Sequence, residues 1–98
     1  MALSSFDRGI LNQIIDNIVK DIRSVVEFAR IPELRSMFKD RDGFDFSLGV
    51  AVTEINMAFI AGFKKRNERE LNKEEKAELF NFFGTRIYEI KEAIFKCG

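Results

Sequence analysis

Apolar residues recur at helical spacing along almost the whole chain. Between residues 5 and 31, Phe6, Ile10, Ile14, Ile18, Ile22, Val25 and Ala29 follow one another at steps of three and four, the period of one helix face. Leu11, Ile15, Val19 and Val26 widen that stripe, and Asn12, Asp16, Lys20, Arg23, Glu27 and Arg30 fill the other side. The spacing predicts one long helix over 5–31, capped by Ser4 or Ser5, with Asp7 suited to the first turn. A stripe this wide can touch two neighbouring helices.

Pro32 interrupts the pattern. It biases Ile31 away from helix and suits the first position of a new one. Residues 32–39 read as a short second helix with Leu34, Met37 and Phe38 turned inward. Asp40-Arg41-Asp42-Gly43 reads as a turn, with Gly43 free to take positive φ.

The stretch from 46 to 66, FSLGVAVTEINMAFIAGFKKR, is a helix with almost no solvent face. It starts near Asp45 or Phe46, with Asp45 as its cap. Leu48, Val52, Ile55, Phe59 and Phe63 form its main stripe. Val50, Met57 and Ile60 form a second stripe on nearly the opposite side. Ala51, Glu54, Ala58, Ala61 and Lys65 lie between, small enough for the most part to let another helix approach. A helix apolar on two sides must be covered by other helices or by another subunit.

The last helix has the clearest start. Asn72 caps it, and Glu75, three residues on, can reach back to the cap amide. Leu79, Phe83, Ile87, Ile90, Ile94 and Cys97 make its stripe, with Phe80, Tyr88 and Phe95 extending it sideways. Glu92 and Lys96 form a well-oriented surface pair. The only alternating run, 48–52, lies inside a longer helical pattern, so no strand is expected. The fold class is therefore all-α: a single domain over 1–98, a small bundle of three long helices and one short one, completed by dimerisation.

Composition narrows the function. At 98 residues there is room for one modest core. Lys plus Arg and Asp plus Glu both number 16, so no global basic field draws nucleic acid or an anionic membrane. The absence of His removes the usual general base and the commonest metal ligand. The serines lack an imidazole to activate them. Cys97 is the single cysteine, which rules out an intrachain disulfide and a cysteine metal site and suits a reducing, cytoplasmic setting. The first residues lack a signal pattern, and Glu54 and Asn56 interrupt the best candidate for a membrane span. A chain poor in Gln and without His or Trp, rich in Ile, Glu and Lys, leans toward thermophile composition.

Four constellations invite a chemical reading. Asp40-Arg41-Asp42-Gly43 resembles the middle of a calcium loop, but the end positions would fall on Phe38 and Gly49, which cannot ligate. Glu54, a lone acid among apolar residues, has no second acid at helix spacing to form a dyad. Lys64, Lys65, Arg66 and Arg69 form the best basic cluster: either a solvated helix end or a phosphate contact, helped by Arg35, Lys39 and Arg41. The eleven phenylalanines could line a ligand cavity, although proteins usually fill such space.

The expectation is a non-enzymatic interaction module without cofactor or metal, self-associating through Val50, Met57, Ile60, Ala61 and Phe82. Phe82 enters because it falls on the polar side of the last helix, where it would enlarge an apolar patch. Docking on a different protein is a variant of this reading. The alternative is a helical subunit of a nucleoprotein complex, touching phosphates through Lys64, Lys65, Arg66 and Arg69.

Overall fold

The computed structural model describes residues 2–37 and 43–97. Among them the secondary structure is entirely helical, in five elements: α1 (Ser5–Lys20), α2 (Ile22–Ala29), α3 (Pro32–Arg35), α4 (Phe44–Asn67) and α5 (Lys73–Lys96). The α1–α2 arm packs on both α4 and α5, and α4 packs on α5.

Ser4 is the cap of α1. Its hydroxyl accepts the amide of Asp7 at 3.0 Å and donates to the Asp7 carboxylate at 2.9 Å. The single helix expected over 5–31 is two. At Asp21 the backbone turns to φ −108° and ψ 32°. The Ser24 hydroxyl donates to Asp21 Oδ1 at 2.9 Å and its amide bonds the Asp21 carbonyl at 3.1 Å. The Ser24 amide thus opens a new helical ladder at Asp21, whose side chain makes no capping bond to the backbone. The apolar period runs straight through the break, because Ile18 and Ile22 stay on the same side of the arm.

The phase of the first stripe also differs from expectation. Its centre is Leu11 and Ile15, both fully buried, while Phe6 is 67% exposed and lies under the Arg66 guanidinium, 5.8 Å from it. On α2, Ile22, Val25, Val26 and Ala29 are buried. Ile31 takes the extended conformation that Pro32 demands. The short helix stops at Arg35 rather than 39, and none of its residues is buried. Met37, expected inside, is exposed. Phe38, Lys39 and the Asp40–Asp42 part of the turn lie outside the described residues.

Gly43 has φ +75°, the conformation a side chain resists, and α4 begins immediately after it. Asp45 is therefore in the first turn of α4 and is not its cap. Glu68 ends α4 in the left-handed region, φ 54°, with its amide on the Lys64 carbonyl at 2.9 Å. The reciprocal box at the start of α5 forms as expected: Asn72 Oδ1 accepts the Glu75 amide and Glu75 Oε1 accepts the Asn72 amide, both at 2.8 Å.

The core joins Leu11 and Ile15 of α1, Val25 and Val26 of α2, Ala51, Ile55, Phe59 and Phe63 of α4, and Leu79, Phe83, Ile90 and Ile94 of α5. Two more core residues, Leu3 and Leu71, lie in the segments just before α1 and α5. The Glu78 carboxylate accepts the amides of Ala2 and Leu3 at 2.8 and 3.0 Å, which seats Leu3 against the bundle.

Candidate self-association surface

α4 meets the core along Ser47, Ala51, Ile55, Phe59 and Phe63. That line steps by four and runs about half a helix turn from the sequence Phe46, Val50, Thr53, Met57, Ile60, Lys64. The second series alternates steps of four and three, the 3.5-residue period of a coiled-coil seam. Thr53, Met57, Ile60 and Lys64 are exposed, and Phe46 and Val50 are half-buried. Opposite the line it buries, the helix thus presents four apolar residues, Phe46 and Val50 half-buried and Met57 and Ile60 exposed, interleaved with Thr53 and Lys64.

Val50 lines an open, mostly apolar groove of about 390 Å³ with Phe46, Gly49 and Thr53, flanked by Asp45 and Glu54. Glu54 also borders a second groove, where α4 meets Ile18, Val25 and Phe28 of the α1–α2 arm. Phe28 stacks on Phe46 with centroids 6.5 Å apart. Glu54 itself is exposed. It marks the border between the side of α4 facing the arm and the side facing away.

Of the remaining surface residues read from sequence, Met57 and Ile60 are 67% and 42% exposed. Ala61 is exposed. Phe82 belongs elsewhere: it is half-buried and packs against the core, because α5 turns its Arg86 side toward α1, where Arg86 bonds Asn12 and Asp16. The exposed rings of α5 are Phe80, Tyr88 and Phe95, which the sequence pattern assigned to the edge of the core stripe.

The basic cluster does not stand free. Arg66 Nη2 donates to Asp7 Oδ1 at 2.9 Å. Arg69 grips both oxygens of Glu75, at 2.7 and 2.9 Å, and lies over the Phe63 ring. Glu75 thereby has its carboxyl held below the usual range, first by Arg69 and also by the Asn72 amide. Lys64 stands 3.9 Å from Glu70, and Lys65 is exposed. These guanidiniums tie the end of α4 to the starts of α1 and α5. The sequence could not foresee this, because Asp7 and Arg66 are 59 residues apart.

Cys97 is a free, half-buried thiol on the α5 stripe. No group of three or more His, Cys, Asp or Glu side chains gathers in a metal-binding arrangement among the described residues. Despite Glu54 and Asn56, α4 is long and apolar enough to cross a membrane by length and composition. Asn56 Oδ1 is buried without a hydrogen-bond partner, a group that ordinarily finds one.

The shape adds a quantity. The chain exposes 6716 Å², against about 5,800 Å² for a compact monomer of its mass. Its radius of gyration is 14.6 Å, against about 12.5 Å for a compact domain of this length. Neither a protein-family model, nor a curated protein, nor a solved structure matches this chain.

Proposed function

We propose that this chain is a non-enzymatic association module that forms a homodimer through the outer face of α4. Val50, Met57 and Ile60 carry the contact, with Phe46, Thr53 and Ala61 around them. The observation behind this reading is the two-sided α4, apolar toward the core and apolar again at coiled-coil spacing toward water. The chain as a whole exposes about 900 Å² more than a compact monomer of its mass, which leaves room for the roughly 800 Å² each partner contributes to a standard interface. A chain without His and with one half-buried cysteine fits an assembly role in a reducing, cytoplasmic compartment.

The test is mass by light scattering over a concentration series. The native chain should give twice the monomer mass, and Met57→Glu with Ile60→Glu should give monomer. Both positions are exposed, so the changes leave the core intact. Association unaltered by both changes would sink the proposal. So would a monomer that instead co-sediments with phosphatidylcholine vesicles, which would assign the face to lipid.

A further inference from the structure

The charges of α4 are sorted along its length. Its acids, Asp45 and Glu54, lie in its first half, and its bases, Lys64, Lys65 and Arg66, in its last turn. Arg66 is held by Asp7; Lys64, loosely paired with Glu70 at 3.9 Å and still 65% exposed, and the exposed Lys65 are the charges that the last turn of α4 itself presents outward. A parallel pair of such helices would set acid beside acid and base beside base. An antiparallel pair sets each acidic half on a basic one.

A second observation concerns Gly49. It sits in α4 beside the outer apolar line, and a Cβ added there would meet nothing within 4 Å. Glycine inside a helix is unfavourable relative to alanine, and nothing in the single chain requires it here. Gly9 and Gly84 are equally open, but Gly49 lines the groove of Phe46, Val50 and Thr53, where its bare backbone leaves room for a second helix to lie close. Ala61 is small on the same face.

We infer, building on the dimer reading, that α4 pairs with α4 of a second copy in antiparallel orientation about a two-fold axis near Met57. Lys64 and Lys65 of each copy enter between Asp45 and Glu54 of the other, within side-chain reach of both acids. The groove around Val50 receives the aliphatic stem of Lys64 of the second copy, seven positions past Met57 as Val50 is seven before it, and Ile60 packs beside Thr53 of the second copy. The arrangement is isologous and closes on itself, so it stops at two chains. It also gives Glu54 a role: an acid at the rim of the seam that fixes polarity rather than a catalytic group.

Rise per residue makes the polarity measurable. In the antiparallel pair the two copies of Met57 meet near the axis. The two copies of Val50 stand roughly 15–25 Å apart along it, far beyond the roughly 7 Å limit for a disulfide. In a parallel pair both positions would meet their own counterparts. The experiment uses the full chain with Cys97→Ser and either Met57→Cys or Val50→Cys, oxidised and run on a non-reducing gel beside light scattering of the reduced sample. Crosslinking of Met57→Cys alone is the expected result. Self-crosslinking of Val50→Cys in a dimeric sample overturns the antiparallel arrangement. A dimer in which neither crosslinks overturns pairing through α4, and a monomer overturns the dimer reading itself. In a second series, Asp45→Lys with Glu54→Lys should weaken association roughly three- to tenfold. Adding Lys64→Glu and Lys65→Glu to the same chain should restore most of it. No restoration would overturn the charge pairing.

Discussion

Two glycines in the long helices make a controlled pair. Gly84 lies in the middle of α5, where an added Cβ would meet no atom within 4 Å. Gly84→Ala should therefore deliver the whole helix-forming advantage of alanine, about 0.5–1 kcal/mol. For a domain of this size that raises the melting temperature by roughly 2–8 °C. Gly62 in α4 has a different neighbour. A Cβ there would stand 2.8 Å from Arg66 Nη1, and the same guanidinium holds Asp7 at 2.9 Å. The arginine must move, which loosens a partly buried ion pair worth about 1 kcal/mol. Gly62→Ala should come out near neutral. In an Asp7→Ala background the pair is already gone, and Gly62→Ala should then stabilise as Gly84→Ala does. Thermal and urea unfolding followed by circular dichroism would measure the native chain and the four variants, and the cycle of native, Gly62→Ala, Asp7→Ala and the double variant isolates the coupling. Equal stabilisation by Gly62→Ala and Gly84→Ala in the native background would refute the argument, because it would mean that the Arg66 guanidinium yields to the new Cβ at no cost to its hold on Asp7.

Other outcomes follow from single features. Glu68→Gly should stabilise by about 0.5–1 kcal/mol in urea unfolding, because a non-glycine residue there adopts φ 54°. Leu3→Ala should destabilise by about 2–4 kcal/mol although Leu3 precedes the first helix, because its side chain is 1% exposed. Glu78 has its carboxyl held below the usual range by the Leu3 amide first, then by the Ala2 amide and Arg8, and Glu75 is lowered by Arg69. A lowered folded value means the stabilisation is present above the ordinary glutamate range and is lost as pH falls through the folded values. Glu78→Gln should flatten the loss of stability measured by unfolding between neutral and acid pH, and an unchanged acid slope would count against the contact.

Local signals carried much of the fold. Asn72 and Glu75 announce their capping box three residues apart, Pro32 announces its own break, and Gly43 its positive φ. The α5 stripe of Leu79, Phe83, Ile90 and Ile94 is buried as its spacing requires. The failures are equally physical. Asp21 breaks the first helix through a ψ rotation and a Ser24 contact that leave the apolar period intact, so periodicity could not see it. A stripe half a helix wide fixes its centre only loosely, which is how Phe6 exchanged places with the buried Asp7. Leu3 and Leu71 lie outside any periodic run. For the candidate surface, Val50, Met57 and Ile60 were legible because α4 has apolar residues all round. The engagement of Arg66 and Arg69 was not, because their partners arrive from other helices.

The ion pairs have a consequence for how the molecule comes apart. The start of α1, the end of α4 and the start of α5 meet at one end of a body 40 Å long. Asp7–Arg66, Arg69–Glu75 and the Glu78 contacts gather there. The far end, beyond the break at Asp21, brings Val25, Val26 and Phe28 of α2 against α4. Screening salt and acid weaken the partly buried pairs of the first end, while the second, whose Glu92–Lys96 pair is exposed and worth little, rests mainly on apolar burial. The chain therefore has a solvent-tunable direction of fraying: ionic strength and pH choose which end opens first, and α4 is the strut both ends share.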